Sequence, residues 1–146
     1  MAWQIEFTDE FAKWWNSLSE DEQADIDAYV TNLEERGPML PFPYSSDIKK
    51  SRHGGMRELR VQSKGSPLRV FYAFDPRRVA ILLIGGDKTG NDRFYEEFVS
   101  IADRLFDEHL VEIAAERKKK HDKPSSIRAT SRKNVPRSKG PGRRKG

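Results

Sequence analysis

Cysteine is absent from all 146 positions, which removes disulfides, thiolate nucleophiles and every cysteine-based zinc or iron–sulfur site, and suits a reducing compartment. A metal would need His and carboxylates, and only three histidines are present. His109 and His121 lack a His-x-x-His partner and carboxylates at ligand spacing, so both are read as surface residues and no metal is expected. Long apolar runs are also missing. The longest, Val79 to Ile84, is six residues, where a membrane helix needs roughly 20. The start Met1-Ala2-Trp3-Gln4-Ile5-Glu6 has no signal-peptide pattern. A soluble, cytoplasmic protein without membrane contact is therefore expected. Neither the Walker nor the dinucleotide glycine pattern is found, so ATP and NAD are not implied and no cofactor is expected.

What is present is charge, in blocks. The net charge of +4 divides into a tail, residues 111–146, with 13 basic and 3 acidic side chains, and a body, residues 1–110, with 14 and 20. Inside the body, residues 1–47 carry 2 basic and 11 acidic groups, residues 48–93 carry 11 and 4, and residues 94–110 carry 1 and 5. A basic middle between acidic helices concentrates positive potential on one part of a small body and favours a polyanionic partner such as nucleic acid.

Trp3 to Phe7 alternates as a short strand. Thr8 then caps a helix carrying Phe11, Trp14, Trp15 and Leu18, with Asp9 and Glu10 opposing the helix dipole. Ser19-Glu20-Asp21-Glu22 is a capping box opening a second helix, whose stripe is Ile26, Tyr29, Val30 and Leu33 and whose stop is Gly37-Pro38. A long loop over 38–55 ends in the basic stretch Lys49 to Gly55. Met56–Gln62 and Leu68–Phe74 alternate around Ser63-Lys64-Gly65-Ser66 as a hairpin. Val79–Ile84 is apolar at both parities and predicts a strand covered on both faces. Gly85 to Gly90 reads as a glycine-rich turn, and Asn91 caps a last helix with Phe94, Phe98, Ile101, Ala102 and Leu105 inward. Trp3, Trp14, Trp15, Phe94 and Phe98 are read as core. From Arg117 the chain turns to Lys, Arg, Ser, Pro and Gly, which cannot offset its ordering entropy, so residues 117–146 are expected to be a disordered tail behind a domain over 1–116.

If the hairpin pairs Gln62 with Pro67, then Val61 faces Leu68, Arg60 faces Arg69, Leu59 faces Val70 and Arg57 faces Tyr72. Leu59, Val61, Leu68, Val70 and Tyr72 share one face, and Glu58, Arg60, Arg69 and Phe71 the other. Two arginines side by side are unfavourable unless an anion, such as a phosphate or the Glu58 carboxylate, joins them. Lys88 follows the central strand, and Arg93 and Tyr95 open the last helix. Lys49, Lys50, Arg52 and His53 border the same expected surface, with Arg57 nearby. Metal-free RNA cleavage needs cations for the phosphate and groups that move protons, for which His53, a lysine or a tyrosine are candidates. Asp87 and Asp92 are read as turn and cap residues rather than metal ligands.

Met56-Arg57-Glu58-Leu59-Arg60, then Leu68-Arg69-Val70-Phe71-Tyr72, then Ala80 to Lys88 before Arg93-Phe94-Tyr95-Glu96-Glu97, resemble the HigB-like branch of the RelE/ParE toxin superfamily over about residues 3–110. The resemblance implies a RelE-like α+β fold: a twisted antiparallel sheet with two N-terminal helices and a C-terminal helix, in the order β-α-α-β-β-β-α. It also implies a type II toxin that inhibits translation by ribosome-dependent, metal-independent mRNA cleavage. The implied partners are a helix-turn-helix antitoxin, the ribosome with its mRNA, and operator DNA reached through the antitoxin complex. By position it points to Arg60, Arg69, Lys88 and Tyr95. ParE-like relatives of this fold instead inhibit DNA gyrase by binding, and the basic tail leaves a third reading open, a non-catalytic nucleic-acid-binding regulator.

Overall fold

The helix signals of the first 37 residues act as their chemistry requires. In the computed structural model, which describes residues 2–122, a short strand β1 (Ile5–Phe7) passes at Thr8 into α1 (Asp9–Asn16). The Thr8 hydroxyl accepts from the Phe11 amide at 2.9 Å and donates to the Leu83 carbonyl at 2.7 Å, so the cap also ties the helix to the sheet. Helix α2 (Glu20–Arg36) opens with the capping box: the Glu22 amide donates to Ser19 Oγ at 3.1 Å and the Ser19 amide to Glu22 Oε1 at 2.9 Å. It ends at Gly37, whose φ of 56° opens a single 3-10 turn, Gly37–Met39. A Cβ at Gly37 would collide with the Trp3 ring.

The sheet holds five strands in the order β1-β5-β4-β3-β2, with β2 (Ser45–Asp47), β3 (Arg57–Ser63), β4 (Ser66–Phe74) and β5 (Ala80–Asp87). The β3–β4 pairing has the register expected from parity, including Arg60 opposite Arg69. The ladder closes one pair further, at Ser63 and Ser66, leaving Lys64-Gly65 as a two-residue turn with φ of 49° and 84°. Both positive values mark the hairpin turn whose twist matches its strands. Two departures from an antiparallel β-α-α-β-β-β-α scheme are seen. Strand β1 joins β5 parallel, Ile5 opposite Ala80, because the α1–α2 excursion frees it from any hairpin constraint and the meander has already set the direction of β5. Strand β2 is an added edge, Ser45 opposite Leu59, formed from residues whose composition reads as a turn.

Both faces of the sheet are covered. Phe11, Trp15, Ile26, Val30 and Leu33 of the N-terminal helices pack on Leu59, Val61, Leu68, Val70, Tyr72 and Leu82. Helix α3 (Phe94–Asp122) packs Phe94, Ala102, Leu105 and Phe106 on Phe71, Ala73, Ile81 and Leu83. Strand β5 supplies both cores, which is why it is apolar at both parities. Trp15 and Phe94 are buried, and Trp14 and Phe98 pack partly buried against the same clusters. Gly85 and Gly86 belong to β5 and not to a turn. A Cβ on Gly85 would strike the Trp14 ring on one face, and one on Gly86 would lie 2.7 Å from Phe98 on the other. Their bareness lets aromatic rings of α1 and α3 reach the backbone.

Helix α3 starts after Asn91, whose side chain accepts from the Arg93 amide at 3.0 Å. It continues through Asp122, so residues 117–122 are helical where a disordered tail is expected. Lys and Arg are strong helix formers, and cations favour a helix C-terminus. The rest of that expectation, residues 123–146, lies outside the described residues, as does the side chain of His121.

His109 departs from the surface position expected of it. It is buried, and its Nε2 donates to Asp75 Oδ2 at 2.9 Å. Arg77 donates to the same oxygen at 2.7 Å and to Glu6 at 2.9 Å, tying the β4–β5 turn to α3 and β1. Burial alone would push the Asp75 carboxyl up, but hydrogen bonds from His109 and Arg77 outweigh it and hold the group at about 2. A depressed folded pKa gives stability that is complete above the unfolded value near 4 and is lost as pH falls towards 2. Asp75→Asn is therefore expected to cost about 2 kcal/mol at pH 7. In urea titrations at successive pH values, the gap from the parent should shrink between pH 4 and pH 2. A gap unchanged over that window would show that the charge of Asp75 is not what stabilises this corner.

Candidate functional site

The register of the hairpin places two arginines opposite one another, and a carboxylate resolves their repulsion. Glu58 lies on the same face of β3 two residues before Arg60. Its Oε2 accepts from Arg60 Nη1 at 3.4 Å and from Ser46 Oγ at 2.7 Å, and its Oε1 lies 3.6 Å from Arg69 Nε. Both Glu58 and Arg69 are buried, with side chains 5% and 6% exposed, while Arg60 keeps 30%. The anion between the two arginines is thus the chain's own. The partly open Arg60 still faces outward over it.

The first turn of α3 and the end of β5 complete the cluster. Tyr95 Oη donates to Glu58 Oε1 at 2.8 Å, and Arg69 Nε donates towards that phenol oxygen at 3.4 Å. Lys88 is fixed by its amide, which donates to the Pro67 carbonyl at 3.0 Å, and its Nζ stands 5.6 Å from the centre of the Tyr95 ring. Burial pushes the Tyr95 phenol up, the Arg69 hydrogen bond opposes this, and Glu58 adds to it. The phenol thus stays a hydrogen-bond donor to Glu58. Three cations, one carboxylate and a phenol thus leave a net positive site with a donor and an acceptor already hydrogen-bonded to each other. Such a site can hold a phosphodiester and exchange protons with it.

Other expected site residues lie elsewhere. His53 Nε2 donates to Asp107 Oδ1 at 2.8 Å, and its ring stands edge-on to Phe106. Asp107 is twelve residues beyond Tyr95, about 18 Å of helix rise, so His53 is anchored away from the cluster. Arg52 pairs with Asp107 and, at 3.7 Å, with Asp103, pinning the loop to α3. Arg57 points to the opposite face of the sheet, where Nε donates to Ser45 Oγ at 3.0 Å beside Tyr72. Arg93 is exposed and bonds Glu96 at 3.0 Å along the helix surface. Lys49 and Lys50 are exposed in the turn after β2.

Glu58, the acceptor at the centre of the cluster, reads from the sequence only as a structural partner. Its spacing from Arg60 was the available signal, because residues i and i+2 of a strand share a face. Phe42 was not singled out at all. Its ring lies 5.0 Å from Arg60 Cζ, an approach that nothing in the local pattern discloses.

The family model "Phage derived protein Gp49-like (DUF891)" matches residues 13–107, which contain every residue of this cluster. Two Mycobacterium tuberculosis proteins are similar. "Putative toxin HigB2" is 41% identical over 101 residues, covering 68% of this chain and 50% of the relative. "Putative toxin HigB3" is 40% identical over 93 residues, covering 63% and 80%. The chain therefore spans about half the length of the first of these relatives. An archaeal RelE in complex with RelB from Pyrococcus horikoshii superposes with a TM-score of 0.47 at 15% identity, over 62% of this chain and 99% of that one.

Removing Glu58 strands the buried Arg69 guanidinium. Glu58→Ala is expected to lower stability by about 3–5 kcal/mol, and Tyr95→Phe, which deletes one hydroxyl, by about 1 kcal/mol. Urea unfolding followed by tryptophan fluorescence measures both. A Glu58→Ala loss no larger than that of Tyr95→Phe would refute the role of the carboxylate as the counter-charge of Arg69.

Proposed function

The chain belongs to the Gp49-like family, and we propose that it is the toxin of a type II toxin–antitoxin system, acting in the cytoplasm to halt translation by cutting mRNA on the ribosome. The observation that carries the reading is the grouping of Arg60, Lys88 and Tyr95 around the Glu58–Arg69 pair. The toxin names of two relatives about 40% identical to it support the same reading. The partner that would neutralise it is a helix-turn-helix antitoxin, and the complex of the two would meet operator DNA.

In this mechanism Arg60 and Lys88 hold the scissile phosphate and stabilise the charge that gathers on it. Arg69, 5% exposed, is a positioning residue: it fixes Glu58 and Tyr95 from below. The 2′-hydroxyl of the nucleotide attacks phosphorus, its proton passes to Glu58, and the bond to the 5′-oxygen breaks as Tyr95 protonates the leaving group. Proton return across the 2.8 Å bond between Glu58 and Tyr95 restores both groups. The products are a 2′,3′-cyclic phosphate and a 5′-hydroxyl end, with no metal in the scheme.

The test is translation of a reporter mRNA in a purified cell-free system, with RNA ends mapped with and without ribosomes. The parent should give ribosome-dependent cuts bearing 5′-hydroxyl ends. Arg60→Ala, Lys88→Ala and Tyr95→Phe should each slow cleavage about 100-fold, whereas His53→Ala should cut at the parent's rate. Uncut message with normal translation would overturn the nuclease reading, and loss of supercoiling by gyrase under the same protein would put the gyrase reading in its place.

A further inference from the structure

A large aromatic side chain left in water needs either a partner or a constraint that keeps it there. Phe42 is 67% exposed, with Met39 and Tyr44 also exposed beside it. The turn that carries the ring is rigid. Pro41 and Pro43 flank it, each with a backbone φ fixed by its ring. The Pro41 carbonyl accepts from the Tyr44 and Ser45 amides at 2.9 and 3.0 Å, and the Tyr44 carbonyl accepts from the Arg60 amide at 2.9 Å. The loop is thus fastened to β3 at the residue whose guanidinium lies against the Phe42 ring at 5.0 Å. That same guanidinium reaches Glu58 at 3.4 Å, so one side chain links the exposed ring to the candidate phosphate site.

We propose that Phe42 is a stacking platform for the nucleobase adjoining the phosphate held by Arg60, a proposal that rests on the ribonuclease reading above. An unpaired base offers an aromatic face and, one bond system away, an anionic phosphate. A ring and a guanidinium held side by side match that pair, and stacking on aromatic side chains is how proteins hold single-stranded RNA. The cation on the ring is Arg60, and the candidate phosphate site it reaches also holds Lys88 beside Tyr95, which suits an anionic chain better than an apolar protein segment. Because Arg60 already packs on one side of the ring, a base would add to an existing stack, and the rigid turn spares the cost of ordering the platform.

The probe is an mRNA carrying 2-aminopurine next to a 2′-O-methylated, uncleavable position. It is titrated with the full chain both free and in a programmed ribosome, and the quenching of 2-aminopurine on stacking is read. The parent should give saturable quenching on at least one of the two forms. Phe42→Trp should keep it. Phe42→Ala and Phe42→Leu should raise the half-saturating concentration about 10-fold or more, with thermal midpoints unchanged because the residue is exposed. Parent-like titration by Phe42→Leu would overturn the platform and assign the ring to a protein contact, and so would absence of quenching by the parent on both forms at saturation. Cleavage of the unmethylated message is scored separately. Phe42-dependent quenching without cutting would sink the nuclease reading and leave the platform standing, and cutting with Phe42-independent quenching would do the reverse.

Discussion

A carboxylate buried between two arginines on neighbouring strands is the constraint that the candidate site is built around. Glu58 and Arg69 are nearly sealed from solvent, where an uncompensated charge is costly. Each therefore needs the other, and Glu58 needs further donors: Ser46 on β2, Arg60 on β3 and Tyr95 on α3 all supply them. Three elements distant in sequence are thereby held at one point. The short edge strand β2 makes sense in this light, since its Ser46 is paired opposite Glu58. Helix α3 begins where Tyr95 can reach the same carboxylate.

The interior strand β5 bears the second constraint. It must pair with β1 and β4, feed two cores, and deliver Lys88 at its end. Glycine at 85 and 86 lets Trp14 and Phe98 close on the backbone from opposite sides. Arg69 lies directly across from Gly86, so the absence of a side chain there leaves the face of the sheet open for the arginine and for the first turn of α3. Packing and site geometry are set by the same residues.

Much of this was readable from local rules. Side-chain alternation alone gave the hairpin register and the facing arginines, because a one-residue slip would have turned Leu59, Val61, Leu68 and Val70 out of the core. The caps at Thr8 and Ser19 are chemistry within three residues. What escaped has longer range or an ambiguous composition. His109 is bonded to Asp75, 34 residues away, and its neighbours in sequence do not announce it. Ser45-Ser46-Asp47 has the composition of a turn yet pairs as a strand because β3 offers an edge. The glycine pair reads as a turn by propensity and is a strand by packing. His53 sits in the basic block, yet its direction is fixed by a carboxylate on α3, which no count of charges reveals.

Helix α3 joins these observations. Its first turn is held through Tyr95 to Glu58, and its middle through His53 to Asp107 and through His109 to Asp75. From Tyr95 to His109 is about 21 Å of helix, so anchors near both ends of that span fix its tilt against the sheet more tightly than either could alone. A rotation of the helix that moved the Tyr95 hydroxyl would also strain the buried His109–Asp75 bond and the packing of Phe94 and Phe106. His109 therefore restrains the site at a distance. It helps to hold the helix that holds the phenol, and the close packing between them transmits that restraint because a packed core does not deform gradually.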